Sequence, residues 1–326
     1  FMTLGAYTTV LISQTGIPAW GIGPLPWGWA TLLGMGVAAG LGVVIGAVTL
    51  RLRQDYLGIV TIGAAELVRL VALNEQWLTQ GPLGLYNYPL PLARFGATGW
   101  QQWILIGAWT LAVGSGWGTL QRAWRAPLLR RRWFLAGTAL LLLLVYGAGL
   151  SGLLRGEYKS RLLVVLGIAL ALTFFLLEQL AQSPWGRVLK AIREDEEVAV
   201  ALGKPVVRYK LQSLVLGGAI GGLAGAFYSW QLTFINPEAF ISLITFQAWI
   251  IVMLGGAGSN VGTLLGALIF WLYDSLTRFA LPAVIPLDGG RLGALRVMII
   301  GLMLMALMIW RPQGLLGKQE ELSLGR

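Results

Sequence analysis

Apolar runs of membrane-spanning length recur from one end of this chain to the other, and they constrain its fold more than any other feature. They fall at 27–50, 57–78, 103–120, 133–154, 162–181, 211–232, 261–282 and 292–310, with shorter runs at 2–15 and 243–257. A helix of about 20 residues matches a hydrocarbon layer roughly 30 Å thick. Only 12% of the 326 residues are charged, while 56% are hydrophobic. Soluble domains carry about 25% charged residues, so this chain lacks the material for a water-facing surface. The expected fold is an all-α, polytopic transmembrane helical bundle of about nine or ten spans, forming a single domain over residues 1–326. No Met opens the chain and Phe1 already stands inside an apolar segment, which reads as a sequence lacking its N-terminal residues.

Missing residue types narrow the chemistry. The chain has no cysteine and no histidine. That removes disulfides, thiolate zinc sites and Cys nucleophiles, together with His-dependent triads and the usual proton shuttle. No G-x-x-x-x-G-K-[ST] motif is present: Lys204 and Lys318 each follow a glycine, but lack the earlier glycine and the hydroxyl residue. The chain therefore shows no ATP site of its own. Metal catalysis has no ligand spacing to rest on. No catalytic residue is assigned.

The net charge of +10 would suggest nucleic acid in a soluble protein. Here the basic residues sit in short loops beside apolar spans, so they report orientation instead. The cluster Arg122, Arg125, Arg130, Arg131 and Arg132 is placed in the cytoplasm. Alternating crossings then put Arg51, Arg53, Arg187, Lys190, Arg193, Lys204, Arg208, Lys210, Arg311, Lys318 and Arg326 on the same side. Arg155, Lys159 and Arg161 are the clearest exception. The parity requires 243–257 to cross fully, and it leaves the C-terminus cytoplasmic.

Glycines four apart predict how the helices pack. Gly36 and Gly40, Gly42 and Gly46, the series Gly217, Gly221, Gly225, and the series Gly258, Gly262, Gly266 each share a helix face. Lipid offers no hydrophobic drive between helices, so close backbone approach through small residues holds them. The run Leu254-Gly255-Gly256-Ala257-Gly258-Ser259-Asn260 breaks a helix. Broken backbone at membrane depth is tolerated inside protein or along a watery cavity, so this run is either a simple turn or part of a pathway.

Charges inside apolar spans are the next candidates, because they are costly there. Glu66 and Arg69 lie three apart on one helix face and can pair. They either fasten the helix to its neighbours or line a polar path. Asp274 and Arg278 form a second, interfacial pair. After the Glu66 span come Asn74 and the segment Leu78-Thr79-Gln80-Gly81-Pro82-Leu83-Gly84-Leu85, a compact non-helical turn on the outer side. The longest hydrophilic stretch, 183–210, is cytoplasmic. Within it, Lys190 to Gly203 reads as one short amphipathic helix with acids in its early turns and a stop at Gly203 and Pro205. Ile192, Val198, Ala199 and Leu202 would form an apolar knob for a partner's groove, or else the helix is merely a solvated loop.

Several stretches together resemble a known family. Ala191-Ile192-Arg193-Glu194-Asp195-Glu196, with Ala201-Leu202-Gly203 and Arg208-Tyr209-Lys210-Leu211, is similar to the cytoplasmic coupling segment of the LivM-type permeases. These are membrane subunits of ABC importers for branched-chain and other neutral amino acids. Thr61-Ile62-Gly63-Ala64-Ala65-Glu66-Leu67-Val68-Arg69-Leu70, then Asn74 and Leu78 to Gly84, is similar to the family's third-helix region. Gly221-Gly222-Leu223-Ala224-Gly225-Ala226, Leu254 to Ser259, Arg311-Pro312-Gln313-Gly314-Leu315-Leu316-Gly317 and Gly5-Ala6-Tyr7-Thr8 match as well. The likeness departs at Gln80, where the family has a second glycine, and at Glu75-Gln76. The whole looks most like cyanobacterial neutral amino-acid permeases.

The resemblance implies a non-catalytic, multi-pass subunit of a bacterial cytoplasmic (inner) membrane importer, surrounded by membrane lipid. Ala191, Ile192, Arg193, Glu194, Asp195, Glu196, Ala201, Leu202 and Gly203 would couple it to two cytoplasmic ATPase subunits. ATP and Mg would bind those ATPases, leaving no cofactor in this chain. A homologous second permease and a periplasmic solute-binding protein would be partners, and nucleic acid would not. Glu66, Arg69, Asn74, Thr79, Gly81, Gly84, Gly255, Gly256 and Gly258 are the expected translocation path. Two alternatives stand beside this: an ABC permease for urea or short amides, and an ion-coupled secondary transporter using Glu66 and Arg69.

Overall fold

Helices fill a computed structural model that describes residues 1–17, 21–49, 54–93, 99–123, 143, 145–147, 149–284, 289–310 and 314–316. The chain divides into two compact units, 1–114 with 143–242 and 115–142 with 243–326. The helices are α1 (Met2–Thr15), α2 (Trp27–Thr49), α3 (Gln54–Asn74), the single turn α4 (Gln76–Thr79), α5 (Gly99–Ala123), α6 (Tyr158–Gln182), α7 (Pro184–Glu194), α8 (Glu196–Ala201), α9 (Val206–Leu232), α10 (Ser242–Gly255), α11 (Asn260–Val284) and α12 (Gly289–Trp310). Two short strands, β1 (Leu85–Tyr86) and β2 (Phe234–Ile235), pair antiparallel with Leu85 opposite Ile235. Among the described residues, Trp27–Thr49, Tyr158–Gln182, Val206–Leu232 and Pro237–Gly255 are long and apolar enough to cross a membrane. The protein is an all-α membrane bundle. The other predicted runs also fall on helices, except that 133–154 lies largely, and Arg125–Arg132 wholly, outside the described residues.

The first unit is built on α1, α2 and α9, which pack backbone to backbone. A Cβ on Gly222 would sit 2.8 Å from the Ala38 Cβ, and one on Gly225 would lie 2.0 Å from the Met2 carbonyl oxygen. Gly34 and Gly42 on α2 meet Thr9 and the Leu214–Val215 backbone in the same way. The expected glycine stripe is therefore shifted. Gly36, Gly40 and Gly217 face open space, whereas Gly34, Ala38, Gly42, Gly218, Gly222 and Gly225 make the seam. Spacing of four recurs on both faces of these glycine-rich helices, so periodicity alone could not tell which face is packed.

At one end of this unit an aromatic core gathers Tyr7, Tyr88, Phe227, Trp230, Ile235 and Phe240. Phe227 and Trp230 meet edge to face at 5.2 Å. The Tyr88 hydroxyl donates to the Ser229 carbonyl, and burial holds this phenol well above its usual pKa. Arg161, one of the exceptions to the orientation rule, spans carbonyls here: Nη1 donates to Leu92 at 3.1 Å and Ala93 at 2.9 Å, and Nη2 to Gly156 at 2.7 Å. Its charge caps backbone that would otherwise lack donors.

In the second unit the predicted break is present. α10 ends at Gly255 and α11 starts at Asn260. A Cβ on Gly255 would come within 2.0 Å of the Gly262 carbonyl, and one on Gly266 within 2.2 Å of the Ile251 carbonyl. The Leu315 and Leu316 N–H groups donate to the Leu254 and Gly255 carbonyls, each at 3.0 Å. The turn at 314–316 thus satisfies carbonyls that the end of α10 leaves open.

Candidate functional site

The segment 183–210 folds as two helices, which corrects the expectation of one helix from Lys190 to Gly203. Ser183 caps α7, its Oγ accepting from the Gly186 N–H at 3.3 Å, with Pro184 in the first turn. α7 stops at Glu194 because Asp195 turns extended, at φ −152 and ψ 109. The Asp195 Oδ1 accepts from the Val198 N–H at 3.0 Å and so starts α8. A carboxylate that caps is worth more at a helix start than inside one, and Glu196 and Glu197 complete that acidic first turn. The acids therefore serve α8, while Glu194 closes α7.

The exit is a Schellman turn. The Gly203 N–H donates to the Val200 carbonyl at 2.9 Å and the Lys204 N–H to the Ala199 carbonyl at 3.1 Å. Gly203 sits at φ +73, where a Cβ is unfavourable. Pro205 follows and α9 begins at Val206.

Three attachments hold this elbow to α9. Ile192, Ala199 and Val206 form a small buried core with Val188 and Tyr209 against it. The Lys210 Nζ bonds Glu196 Oε2 at 2.5 Å. The Trp185 indole donates to Gln212 Oε1 at 2.8 Å. The expected four-residue knob is thus divided: Ile192 and Ala199 are buried, while Val198 and Leu202 remain 53% and 72% exposed, joined by Val200, outside the expected set, at 57%. Ala191, Arg193 and Ala201 complete the segment. Sequence reading missed Trp185, Lys210 and Gln212 as attachment points; Trp185 lies on α7, ahead of the acidic run, and the other two on α9, after it.

At the other end of the first unit, the Arg69 guanidinium grips Glu66, with Nη2 to Oε1 at 2.5 Å and Nε to both oxygens at 3.0 Å. Glu238 adds negative field around Arg69. The Asn74 amide donates to the Leu70 carbonyl at 2.9 Å. Thr79 is buried, donating to the Ala72 and Glu75 carbonyls and accepting from the Gly81 N–H at 3.2 Å. The segment expected to be non-helical instead holds the end of α4 and a 3-10 turn at Gly81–Leu83, with the Thr79 hydroxyl bridging the two. Gly84 lies where β1 meets β2: a Cβ would come within 2.4 Å of the Ile235 carbonyl. Glu66, Arg69, Asn74, Thr79, Gly81 and Gly84 are therefore one neighbourhood, whereas Gly255, Gly256 and Gly258 belong to the second unit.

Residues 1–308 match the family described as "Branched-chain amino acid transport system / permease component". The chain belongs to this permease family. It is 30% identical to the high-affinity branched-chain amino acid transport system permease protein LivM of Escherichia coli K12 over 322 residues, covering 97% of this chain and 62% of that protein. A probable LivM of Methanocaldococcus jannaschii is 32% identical over 171 residues, 49% of this chain and 48% of that one. The E. coli permease LivH is 29% identical over 152 residues, 46% of this chain and 44% of that one. The chain spans about three fifths of the length of the LivM relatives it matches along nearly its whole extent. No solved structure matches it.

Proposed function

We propose that this chain is a permease subunit of an ATP-binding-cassette importer that moves neutral or branched-chain amino acids across a bacterial inner membrane by alternating access. The elbow carries the proposal. It is a compact pair of helices bound to the first two turns of α9, with Val198, Val200 and Leu202 exposed beside charged Arg193, Glu194 and Glu197. That combination suits a groove in a cytoplasmic ATPase: the apolar ridge supplies affinity, and the charges supply register. Closure of two such ATPases would push the elbow, and α9, about 40 Å long, would carry the displacement through the membrane. A second, homologous permease would complete the path and a periplasmic binding protein would deliver the solute. The relatives named for branched-chain amino acid transport support that substrate class. The elbow, and with it the C-terminus, is assigned to the cytoplasm.

The test is uptake by the complete importer. Glu194→Lys and Gly203→Arg are expected to abolish leucine uptake while the chain still inserts in the membrane. Normal uptake by both variants would overturn the coupling role. Uptake of urea or a short amide in place of leucine would redirect the substrate. Purified chain alone in liposomes is expected to accumulate no solute under a proton gradient; accumulation would establish the carrier reading through Glu66 and Arg69.

A further inference from the structure

In the aromatic cluster of the first unit, three uncharged buried donors have nothing to donate to. Among the described residues, the Tyr7 hydroxyl on α1, the Tyr158 hydroxyl at the start of α6 and the Trp230 indole N–H near the end of α9 are shut off from solvent without an acceptor. Tyr7 is 5% exposed and Trp230 1%. Native interiors leave few such groups, because a buried donor forfeits its water and receives no return. Each calls for an acceptor.

All three belong to the aromatic cluster at one end of the unit, Tyr7 and Trp230 within it and Tyr158 packed on its side. Tyr88 lies in the same cluster, its hydroxyl engaged by the carbonyl of Ser229, the residue before Trp230. The same Tyr88 lines an open cavity, a surface groove of about 490 Å³, with Tyr86, Asn87, Leu90 and Thr233. That volume lies within the range of small-molecule sites. Asn87 and Thr233 hold left-handed backbone, at φ 59 and φ 58, without being glycine. They flank the paired residues Tyr86 and Phe234, and Thr233 is also the left-handed C-cap of α9. Such conformations persist where surroundings over-determine them and gather at ligand sites.

We propose that the cavity and the three orphaned donors are the outer and inner parts of one solute site, separated by Tyr88 as a gate, and that the inner part takes the carboxylate of a small zwitterionic amino acid. The assignment rests on the permease reading and deepens it. Donors with no acceptor of their own suit a carboxylate, whose oxygens accept and do not donate. Arg161, three residues after Tyr158 and fixed by the Leu92, Ala93 and Gly156 carbonyls, adds positive field on that helix face. Phe227, Tyr228 and Phe240 offer aromatic faces for an ammonium group and an apolar side chain. With Tyr88 bonded to Ser229, the gate is closed in the state seen here.

The experiment uses the complete importer, in cells lacking other leucine uptake and then purified with its partners. Wild-type uptake of radiolabelled leucine is the control, and its absence would count against the permease reading itself and not against this site. Tyr7→Phe and Tyr158→Phe are each expected to lower the saturated uptake rate about tenfold, the loss of one hydrogen bond to a charged group at about 1.4 kcal/mol per tenfold. Both variants should insert normally, and their thermal midpoints should rise, since each deletes a buried hydroxyl without a partner. Because the chain has no cysteine, Thr233→Cys gives this chain a single labelling site on the cavity wall, read on its own gel band, and millimolar leucine should slow its reaction with a maleimide severalfold. Raised stability with undiminished uptake would show that the donors take no part in transport, and would overturn the site. Lowered stability in both Phe variants, or labelling of Thr233→Cys indifferent to leucine, would overturn it as well.

Discussion

At its far end α9 runs straight into β2, and its last turns are buried among Phe227, Trp230 and Ile235, with Gly222 and Gly225 pressed against the backbones of α2 and α1. At its near end the same helix meets α7 and α8 through one ion pair, one indole hydrogen bond and a core of three buried side chains. One half is held by surfaces that cannot separate without opening a void, the other by discrete contacts at a partly exposed surface. A force applied at the elbow therefore travels along a helix clamped over much of its length, and the parts able to yield are the elbow's own attachments. In the proposed importer this packing would make a lever of α9, with its weaker end at the elbow.

The comparison breaks most visibly at the clamped half. Gly225→Leu places a branched side chain where a Cβ alone would lie 2.0 Å from a carbonyl oxygen. Overpacking in a close-packed interior costs about 1–3 kcal/mol and more where backbone has to move. The variant is expected to lose most folded protein in the membrane, read as monodisperse yield in detergent. Wild-type yield would mean that the α1–α9 seam is not close-packed. At the elbow the expected effect is on function. Glu196→Lys sets like charges where Lys210 now pairs. The pair is partly exposed, so its loss costs the fold about 1 kcal/mol or less, yet uptake should fall at least severalfold because α8 detaches from α9. Adding Lys210→Glu should restore uptake. Failure of that rescue would show that Glu196 serves the partner and not the attachment.

A third substitution tests the elbow's internal joint. Asp195→Ala removes the cap that begins α8 and is expected to cost about 1 kcal/mol locally. Hydrogen exchange should quicken across Glu196–Ala201 while α9 stays protected. Equal exchange in both proteins would mean that the buried Ala199, not the cap, starts α8.

Long apolar runs made the helices legible in the sequence, because the length of a span follows from the thickness of lipid. Glu66 with Arg69, and the break at Gly255–Gly258, were legible for the same reason: a charge or a glycine run inside such a helix has few explanations. The joint at Asp195 was not. An Asp within an acidic run reads equally well as first-turn charge or as a cap, and only its backbone angles decide. The attachments Trp185–Gln212 and Glu196–Lys210 bridge 27 and 14 residues, a separation that helical periodicity does not address. The orphaned tyrosines were equally silent, since the want of a partner is a property of packing and not of residue type.

The smallest expected effect separates sequence pattern from packing. Gly36 and Gly40 have the four-residue spacing that marks a helix seam, yet a Cβ on either meets nothing within 4 Å, whereas one on Gly34 would lie 2.5 Å from the Thr9 hydroxyl and 2.8 Å from the Gly5 carbonyl. Gly36→Ala should therefore leave stability unchanged or raise it by up to about 1 kcal/mol, through the helix propensity that alanine adds. Gly34→Ala should lower the thermal midpoint of the same purified protein. If Gly36→Ala proved the more damaging, the face of α2 bearing Gly36 would be covered in the assembly, and the seam read from α1, α2 and α9 would be only one of two.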